Sequence, residues 1–330
     1  YKTEDYIYRF RVEHLREQLL GYAIESDAVE VRKMSPARLK GYTHMVIFEC
    51  PWDKRLRKVV DKAQKAGIRV IYSLSDVPDE TLLGEAPEVC YRFFVPNEKL
   101  REAVVALDST LPTVVQQNVA SYEMLALCME AAPAHENRIN TQKPLRIGFI
   151  GAGKTSKKDF EAVAPIFRNI LEEDRRIRLK VIGRVDLPSA LHFEDQRTEQ
   201  TDFPSWRKLP GLLKNVDVLV VSETPETDRR LGYCDSRALE AGLLGIPTLH
   251  VRDGKATMPL ISEGLWEEIK ISSGSDDAEE VLRTFSLYRE LLADACDSVR
   301  TAAWEKTTAT VEDGVLETFG ILPEKEGQST

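Results

Sequence analysis

Apolar positions in this chain fall into short runs separated by stretches with a helical period, and the alternation is clearest from Thr43 onward. Thr43–Glu49 (THMVIFE) has the length and composition of a buried parallel strand. Leu56, Val59, Val60 and Ala63 then recur at helical spacing, and Gly67 stands where a helix C-terminus favours glycine. Ile68–Leu74 (IRVIYSL) predicts the next strand. Such a strand–helix–strand unit is nearly always a right-handed crossover in a parallel sheet.

Between Ala131 and Pro144 (AAPAHENRINTQKP) the pattern turns polar and irregular, which predicts an interdomain linker. It then restarts. Leu145–Ile150 predicts a strand, and Phe160, Val163, Ala164, Phe167 and Ile170 mark one stripe of a helix. Arg178–Ile182 predicts a strand, Trp206–Lys214 a helix, and Asp217–Ser222 a strand. Ser236–Leu244 predicts a helix stopped by Gly245, followed by a strand at Ile246–Val251. From Ala278 to Gly320 the chain reads as mostly helical, with Leu282, Phe285, Leu291, Trp304 and Phe319 as packing residues. Alternating strands and helices imply α/β sheets covered on both faces. The expected domains are residues 1–138 and 139–300, with 301–330 as a helical segment and tail. Ligands of such sheets bind at the carboxyl ends of the strands.

Composition narrows the function. A chain of 330 residues is long enough for two cores, and 42% hydrophobic with 30% charged residues fits a globular protein. No apolar run approaches the ~20 residues of a membrane-spanning helix. The formal net charge of -9 argues against a nucleic-acid partner. Cys50, Cys90, Cys128, Cys234 and Cys296 show no CxxC and no metal-ligand spacing, which reads as reduced thiols of a cytoplasmic protein. The five histidines are equally dispersed, so no zinc site is expected. A start at Tyr1 rather than Met reads as a fragment or a processed chain.

The segment richest in chemistry is Gly148-Phe-Ile-Gly-Ala-Gly-Lys-Thr155, followed by Ser156, Lys157 and Lys158. Glycines and three lysines between a strand and a helix make a cradle for a diphosphate, from backbone N–H groups and ammonium charges. The same eight residues satisfy the P-loop pattern GxxxxGK[ST], so a P-loop NTPase is the competing expectation. Against it, Gly148 falls inside the predicted strand, and polar Ser-Lys-Lys-Asp follows Thr155. Asp217–Ser222 also leads into Glu223 with no aspartate after the apolar run.

Gly153-Lys-Thr-Ser-Lys-Lys-Asp-Phe160 and its following helix resemble the first donor-domain loop of retaining GT-B glycosyltransferases. The likeness is to the large family (glycosyltransferase family four, group 1) whose bacterial members build surface polysaccharides. It implies that Lys154 and Lys158, with Gly153 and Thr155, meet the donor diphosphate. Val181–Pro188, with Arg184, resembles the family's second strand and loop. Pro204–Leu209, with Ser205 and Trp206, resembles the segment beside the nucleotide base. Asp217–Glu223 resembles the strand and loop before the donor helix. Asp235–Thr248 resembles that helix and the strand after it, which makes Glu240 the ribose ligand and turns Arg237, with Ser236 beside it, toward the phosphates. The family often has an acidic residue eight positions before the ribose glutamate, where this chain has Gly232. Glu223, Glu226 or Asp228 are the expected substitutes, or backbone groups hold the sugar. More weakly, Tyr8–Leu15, His44–Pro51, Ile68–Asp76 and Gln117-Asn118 resemble the acceptor half, whose opening strand would precede Tyr1.

The resemblance implies an α/β GT-B fold, two Rossmann-like domains with parallel sheets facing a central cleft. It implies retaining transfer of a sugar from a nucleotide-diphosphate donor to a glycan, lipid-linked or protein acceptor, in surface polysaccharide or glycoconjugate synthesis. Lys154, Lys158 and Arg237 would stabilise the leaving diphosphate. Asp76, at a strand end, is the better candidate for the acceptor side, with His14 and His44 weaker. Arg9 and Arg11 read either as ligands of an anionic acceptor or as surface charges. No cofactor and no obligatory metal are expected. The expected location is cytoplasmic, with peripheral contact at the inner face of a membrane left open. A non-catalytic GT-B-like module of a larger protein is the further alternative.

Overall fold

The computed structural model describes residues 6–79, 83–141, 143–151, 156–193, 195–224 and 231–323. Two compact units emerge. One holds the chain up to Val119 and again from Thr308, and the other holds most of the chain from Ala120 to Thr307.

The first unit carries four parallel strands in sequential order: β1 (His44–Phe48), β2 (Arg69–Ser73), β3 (Arg92–Val95) and β4 (Thr113–Val115). A π-helical turn at Arg9–Glu13 leads into α1 (His14–Leu20). Helix α2 (Lys54–Lys65) starts where the Asp53 carboxylate accepts from the N–H groups of Arg55 and Leu56. It buries Leu56, Val60 and Ala63 and ends before Gly67, whose φ of 73° suits the left-handed turn out of a helix. Helix α3 (Glu98–Leu107) is capped in the same way by Asn97. One face of the sheet packs Tyr72, Phe93 and Val95 against these helices. On the other, Ile71 and Phe94 meet Leu15 and Leu19 of α1 and Val315 of the helix Asp313–Thr318. That contact is why the chain beyond Thr308 belongs to the first unit.

The second unit is a six-stranded sheet: β5 (Arg146–Gly151), β6 (Arg178–Gly183), β7 (Thr198–Thr201), β8 (Val218–Ser222), β9 (Thr248–Arg252) and β10 (Lys255–Thr257). Their order is β10-β9-β8-β5-β6-β7, parallel except for the β9–β10 pair. Its helices include α4 (Tyr122–Asn140), α5 (Ser156–Glu173), α6 (Leu231–Gly242), α7 (Glu263–Ser273), α8 (Ala278–Leu287) and α9 (Arg289–Trp304). Val163, Phe167 and Ile170 of α5 fill the core with Phe149, Val181, Val220, Leu282 and Leu292. The Trp206–Lys214 helix is a 3-10 turn (Trp206–Lys208) running into a short α-turn (Leu209–Leu213).

The predicted linker at Ala131–Pro144 is largely helix instead. Ser121 caps α4 by accepting from Met124 N at 3.2 Å, and Met124, Cys128, Ala131, Ala132, His135 and Ile139 are buried along it. The residues that read as polar linker are partly core. Arg138 donates to both carboxylate oxygens of the fully buried Asp217, at 2.6 and 2.8 Å, and Asp217 also accepts from Arg146 N at 2.8 Å. Among the described residues no helix is long and apolar enough to cross a membrane.

This anchor generates a stability prediction. Asp217→Ala strands the Arg138 guanidinium in the interior and lowers the unfolding free energy by about 3–5 kcal/mol, read by denaturant melts. Glu123→Ala, which breaks the half-exposed pair with Arg207, costs no more than about 1 kcal/mol. Equal losses would show that the buried pair anchors nothing.

Candidate functional site

In the second sheet the strand order reverses at β5, which lies between β6 and β8. Chains leaving the carboxyl ends of β5 and β8 run in opposite directions, and an open α/β sheet binds its ligand at that point. β5 ends at Gly151 and β6 at Gly183, whose φ is 119°. A Cβ on Gly183 would lie 2.0 Å from the Gly151 carbonyl oxygen, so only glycine allows the two strand ends to approach this closely.

Helix α5 opens at this edge with Ser156 buried and Lys157 and Lys158 exposed. Lys157 pairs with Asp186 at 3.1 Å. The hydroxyl of Thr224, just past β8, donates to Asp159 at 3.4 Å and ties the start of α5 to the β8 loop. Gly153, Lys154 and Thr155 lie outside the described residues, as do Glu226 and Asp228. Glu223 is held by His250 Nδ1 at 3.0 Å and approached by Arg252 at 3.6 Å.

Helix α6 carries the other predicted residues. Arg237 donates to Glu240 at 2.9 Å, one turn apart, and both side chains are buried. Ser236 beside them is fully buried. Past β7, Phe203 sets its ring 5.5 Å from the Arg237 guanidinium. Trp206 is buried beneath the Arg207 guanidinium at 4.5 Å, whereas Ser205 is exposed and its carbonyl accepts from Lys208 N. Arg184 stands apart from the α6 pair, exposed and paired with Asp202 at 3.0 Å. Both border a cavity of about 510 Å³ with Gly183, Val185, Asp186, Gln200 and Thr201. That volume lies within the range of small-molecule pockets. Gln200 fixes its wall by donating to the Gly183 and Val185 carbonyls at 3.0 and 2.9 Å.

The P-loop expectation is not favoured by this geometry. Gly148 is the third residue of β5, paired with Lys180 on one side and Leu219 on the other. A Cβ there would stand 2.6 Å from Val216 Cγ1, so strand packing accounts for this glycine. Among the described residues, no group of three or more His, Cys, Asp or Glu is arranged to hold a metal ion.

In the first unit the carboxyl ends of β1 and β2 bring Glu49 beside Ser75, whose N–H donates to the Glu49 carboxylate at 2.8 Å and whose hydroxyl donates to the same oxygen. Glu49 has a φ of 38°, and such strain is typical of functional edges. Asp76 follows directly and is partly buried. Arg9 and Arg11 are not surface charges. Arg11 is fully buried and donates to Ser73 Oγ, the Gln116 carbonyl and Asn118 Oδ1. Burial pushes its pKa down to about 9, against the pull of Glu49 and Glu312. Arg9 is 3% exposed. His14 is buried too, with Nδ1 donating to the Val119 carbonyl at 2.5 Å, and burial with Arg9 nearby takes its pKa down to about 3. His44 is half-buried against the Phe319 ring, its pKa lowered by burial and by Arg69.

Sequence reasoning passed over Phe203, Thr224, His250 and Glu49. Only Phe203 had a local signal, as an aromatic directly before the Pro204–Leu209 segment.

The fold is of the GT-B class, with two Rossmann-like α/β domains. Neither a protein-family profile nor a curated protein matches the sequence. Among solved structures, Anabaena HepE in complex with UDP is similar at a TM-score of 0.61 and 13% identity, covering 88% of this chain and 82% of that one. The pneumococcal O-GlcNAc transferase GtfA, in complex with UDP and GlcNAc, gives 0.54 and 13%, covering 86% of this chain and 58% of that one. TarM gives 0.53 and 12%, covering 84% and 53%. At these identities the likeness is one of fold.

The His14 environment predicts a pH dependence. An unfolded histidine titrates near 6.5 and the folded His14 near 3, so the unfolded state binds the extra proton between those values. The contribution of His14 is full above pH 6.5 and is lost as pH falls toward 3. Urea melts across that window should show the native chain losing up to ~1.4 kcal/mol per pH unit more than His14→Gln. Parallel slopes would mean that His14 is protonated in the folded state.

Proposed function

We propose that this chain is a glycosyltransferase that moves a sugar from a nucleoside-diphosphate donor to a glycan, lipid-linked or protein acceptor. The observation that carries the reading is the buried Arg237–Glu240 pair on the helix that follows β8, at the reversal point of a Rossmann-type sheet. A carboxylate accepts both hydroxyls of a ribose, and a guanidinium forks onto phosphate oxygens. HepE and GtfA were both solved with UDP, which supports a nucleoside diphosphate as the carrier.

In this reading Glu240, with Ser236, takes the ribose, and Ser205, Trp206 and Phe203 flank the base. Lys154, Lys158, Arg237 and the N–H groups around Gly153 and Thr155 receive the diphosphate. Negative charge grows there as the bond to the anomeric carbon breaks, so preorganised donors at that point lower the barrier. Arg184 and Glu223 serve the sugar side of the donor, and Asp76 the acceptor. The acceptor hydroxyl bonds to the anomeric carbon on the face the phosphate leaves, and its proton passes to the departing phosphate oxygen. That front-face course gives retention without a covalent carboxylate or an obligatory metal. Surface polysaccharide or glycoconjugate synthesis is the corresponding role.

A thermal-shift screen tests this with UDP, GDP, dTDP, CDP, ADP and ATP, with and without magnesium. A ligand at 100 times its dissociation constant adds ~2.7 kcal/mol to the native state. The expected result is metal-independent stabilisation by one nucleoside diphosphate, lost in Lys154→Ala and in Glu240→Gln. Glutamine is chosen because its amide oxygen keeps an acceptor for the hydrogen bond from Arg237, which alanine removes. Stabilisation by ATP alone, dependent on magnesium and indifferent to Glu240→Gln, would overturn the transferase and restore the P-loop reading. With the matching sugar nucleotide, release of the diphosphate then distinguishes turnover from binding by a non-catalytic module.

A further inference from the structure

Strand β9 reads Thr-Leu-His-Val-Arg, and its two faces differ. Leu249 and Val251 join the core with Val163 and Phe167 of α5, so His250 and Arg252 belong to the opposite face. In register His250 lies between Val221 of β8 and Thr257 of β10, and it is only 6% exposed. The same register carries Glu223 one step past the end of β8, opposite Arg252. That is the carboxyl edge at which β5, the other neighbour of β8, ends in Gly151.

Two side chains of β9 address the Glu223 carboxylate. His250 Nδ1 donates to its Oε1 at 3.0 Å, and Arg252 Nε stands 3.6 Å from its Oε2. Glu223 N also donates to the Val251 carbonyl at 2.8 Å, so backbone and side chain of Glu223 are both tied to β9. His250 Nε2, by contrast, is buried and meets no hydrogen-bond partner among the described residues. A buried acceptor left without a donor costs stability, and an apolar side chain at this position would avoid that cost. Packing alone does not account for the imidazole, whereas the bond from its other nitrogen to Glu223 does.

We propose that His250 is the positioning residue for the sugar end of the donor: it holds Glu223 in the direction from which the carboxylate accepts from sugar hydroxyls. The inference rests on the donor reading above and adds the residue that prepares the sugar contact. A carboxylate held before the ligand arrives loses less side-chain freedom on binding, so more of the contact appears as affinity. An ionised carboxylate only accepts hydrogen bonds and repels anions. The sugar it takes is therefore a neutral one with a free hydroxyl at the contact, not a uronate.

Calorimetric titration of the full chain tests this with UDP, UDP-glucose, UDP-N-acetylglucosamine and UDP-glucuronate. The expected result is that at least one neutral sugar nucleotide binds about tenfold tighter than UDP, as one hydrogen bond to a charged group allows. UDP-glucuronate gains nothing over UDP. His250→Leu should bind UDP like the native chain and keep its melting temperature, yet lose the sugar's tenfold gain. His250→Asn, whose amide N–H donates from the Nδ1 position, should regain most of it. A His250→Leu chain that keeps the gain overturns the proposal, as does glucuronate binding as tightly as the neutral sugars. A fall in both UDP affinity and melting temperature, in the Leu and Asn variants alike, also overturns it and returns His250 to the core. UDP binding with no gain from any sugar overturns only the role of His250. Absence of UDP binding overturns the donor reading with UDP as carrier, and this inference with it.

Discussion

The order of strands in the second unit's sheet reverses at one place, and the site proposed for the donor depends on that reversal. With β5 between β6 and β8, the helix after β5 and the helix after β8 must lead away from each other. Helix α5 follows β5 and helix α6 follows β8, so both come after the carboxyl edge of the sheet. Gly183 against Gly151 keeps the ends of β5 and β6 close enough for that edge to form, and Thr224 on Asp159 links its two sides.

Burial sorts the cations of this protein into separate duties. Arg11, Arg138 and Arg237 are enclosed, and each meets oxygen acceptors: Ser73, Gln116 and Asn118 for the first, Asp217 for the second, Glu240 for the third. A guanidinium is suited to this because its planar fork satisfies several acceptors while keeping its charge. Lysines dominate where charge stays in water, at the start of α5 and along α2. An enclosed charge needs its partner built into the fold, and Arg237 keeps Glu240 as that partner where the two are proposed to meet the donor.

The string from Gly148 to Thr155 shows how one motif supports two chemistries until its register is known. As a P-loop it needs its first glycine at the strand end. In the structure Gly148 is paired on both sides within β5, with Val216 packed where its side chain would be, and the strand runs on to Gly151. What remains is a glycine- and lysine-rich stretch of sequence ahead of the long helix α5, and the proposed diphosphate contact rests on that stretch.

Periodicity along the chain determined most strands and helices, because an apolar run or an i, i+4 stripe is a local record of what each element buries. Thus β1, β2, β5, β6, β8 and β9 were legible to within two residues at each end, and α2 and α5 from their apolar stripes, whereas the helix expected over Ser236–Leu244 runs from Leu231 to Gly242. Helix α4 was not legible at its end, since Arg138 and His135 look like linker residues until Asp217, far along the chain, is folded against them. Nor could Arg9 and Arg11 be assigned by residue type, which does not say whether a guanidinium faces water or Ser73 and Asn118. Glu49 beside Ser75 and Phe203 beside Arg237 are likewise pairings that only the tertiary structure makes. Local periodicity fixes which face of an element is apolar. Burial of a charge, and the identity of its partner, are decided by residues tens of positions away that meet only when the sheets assemble.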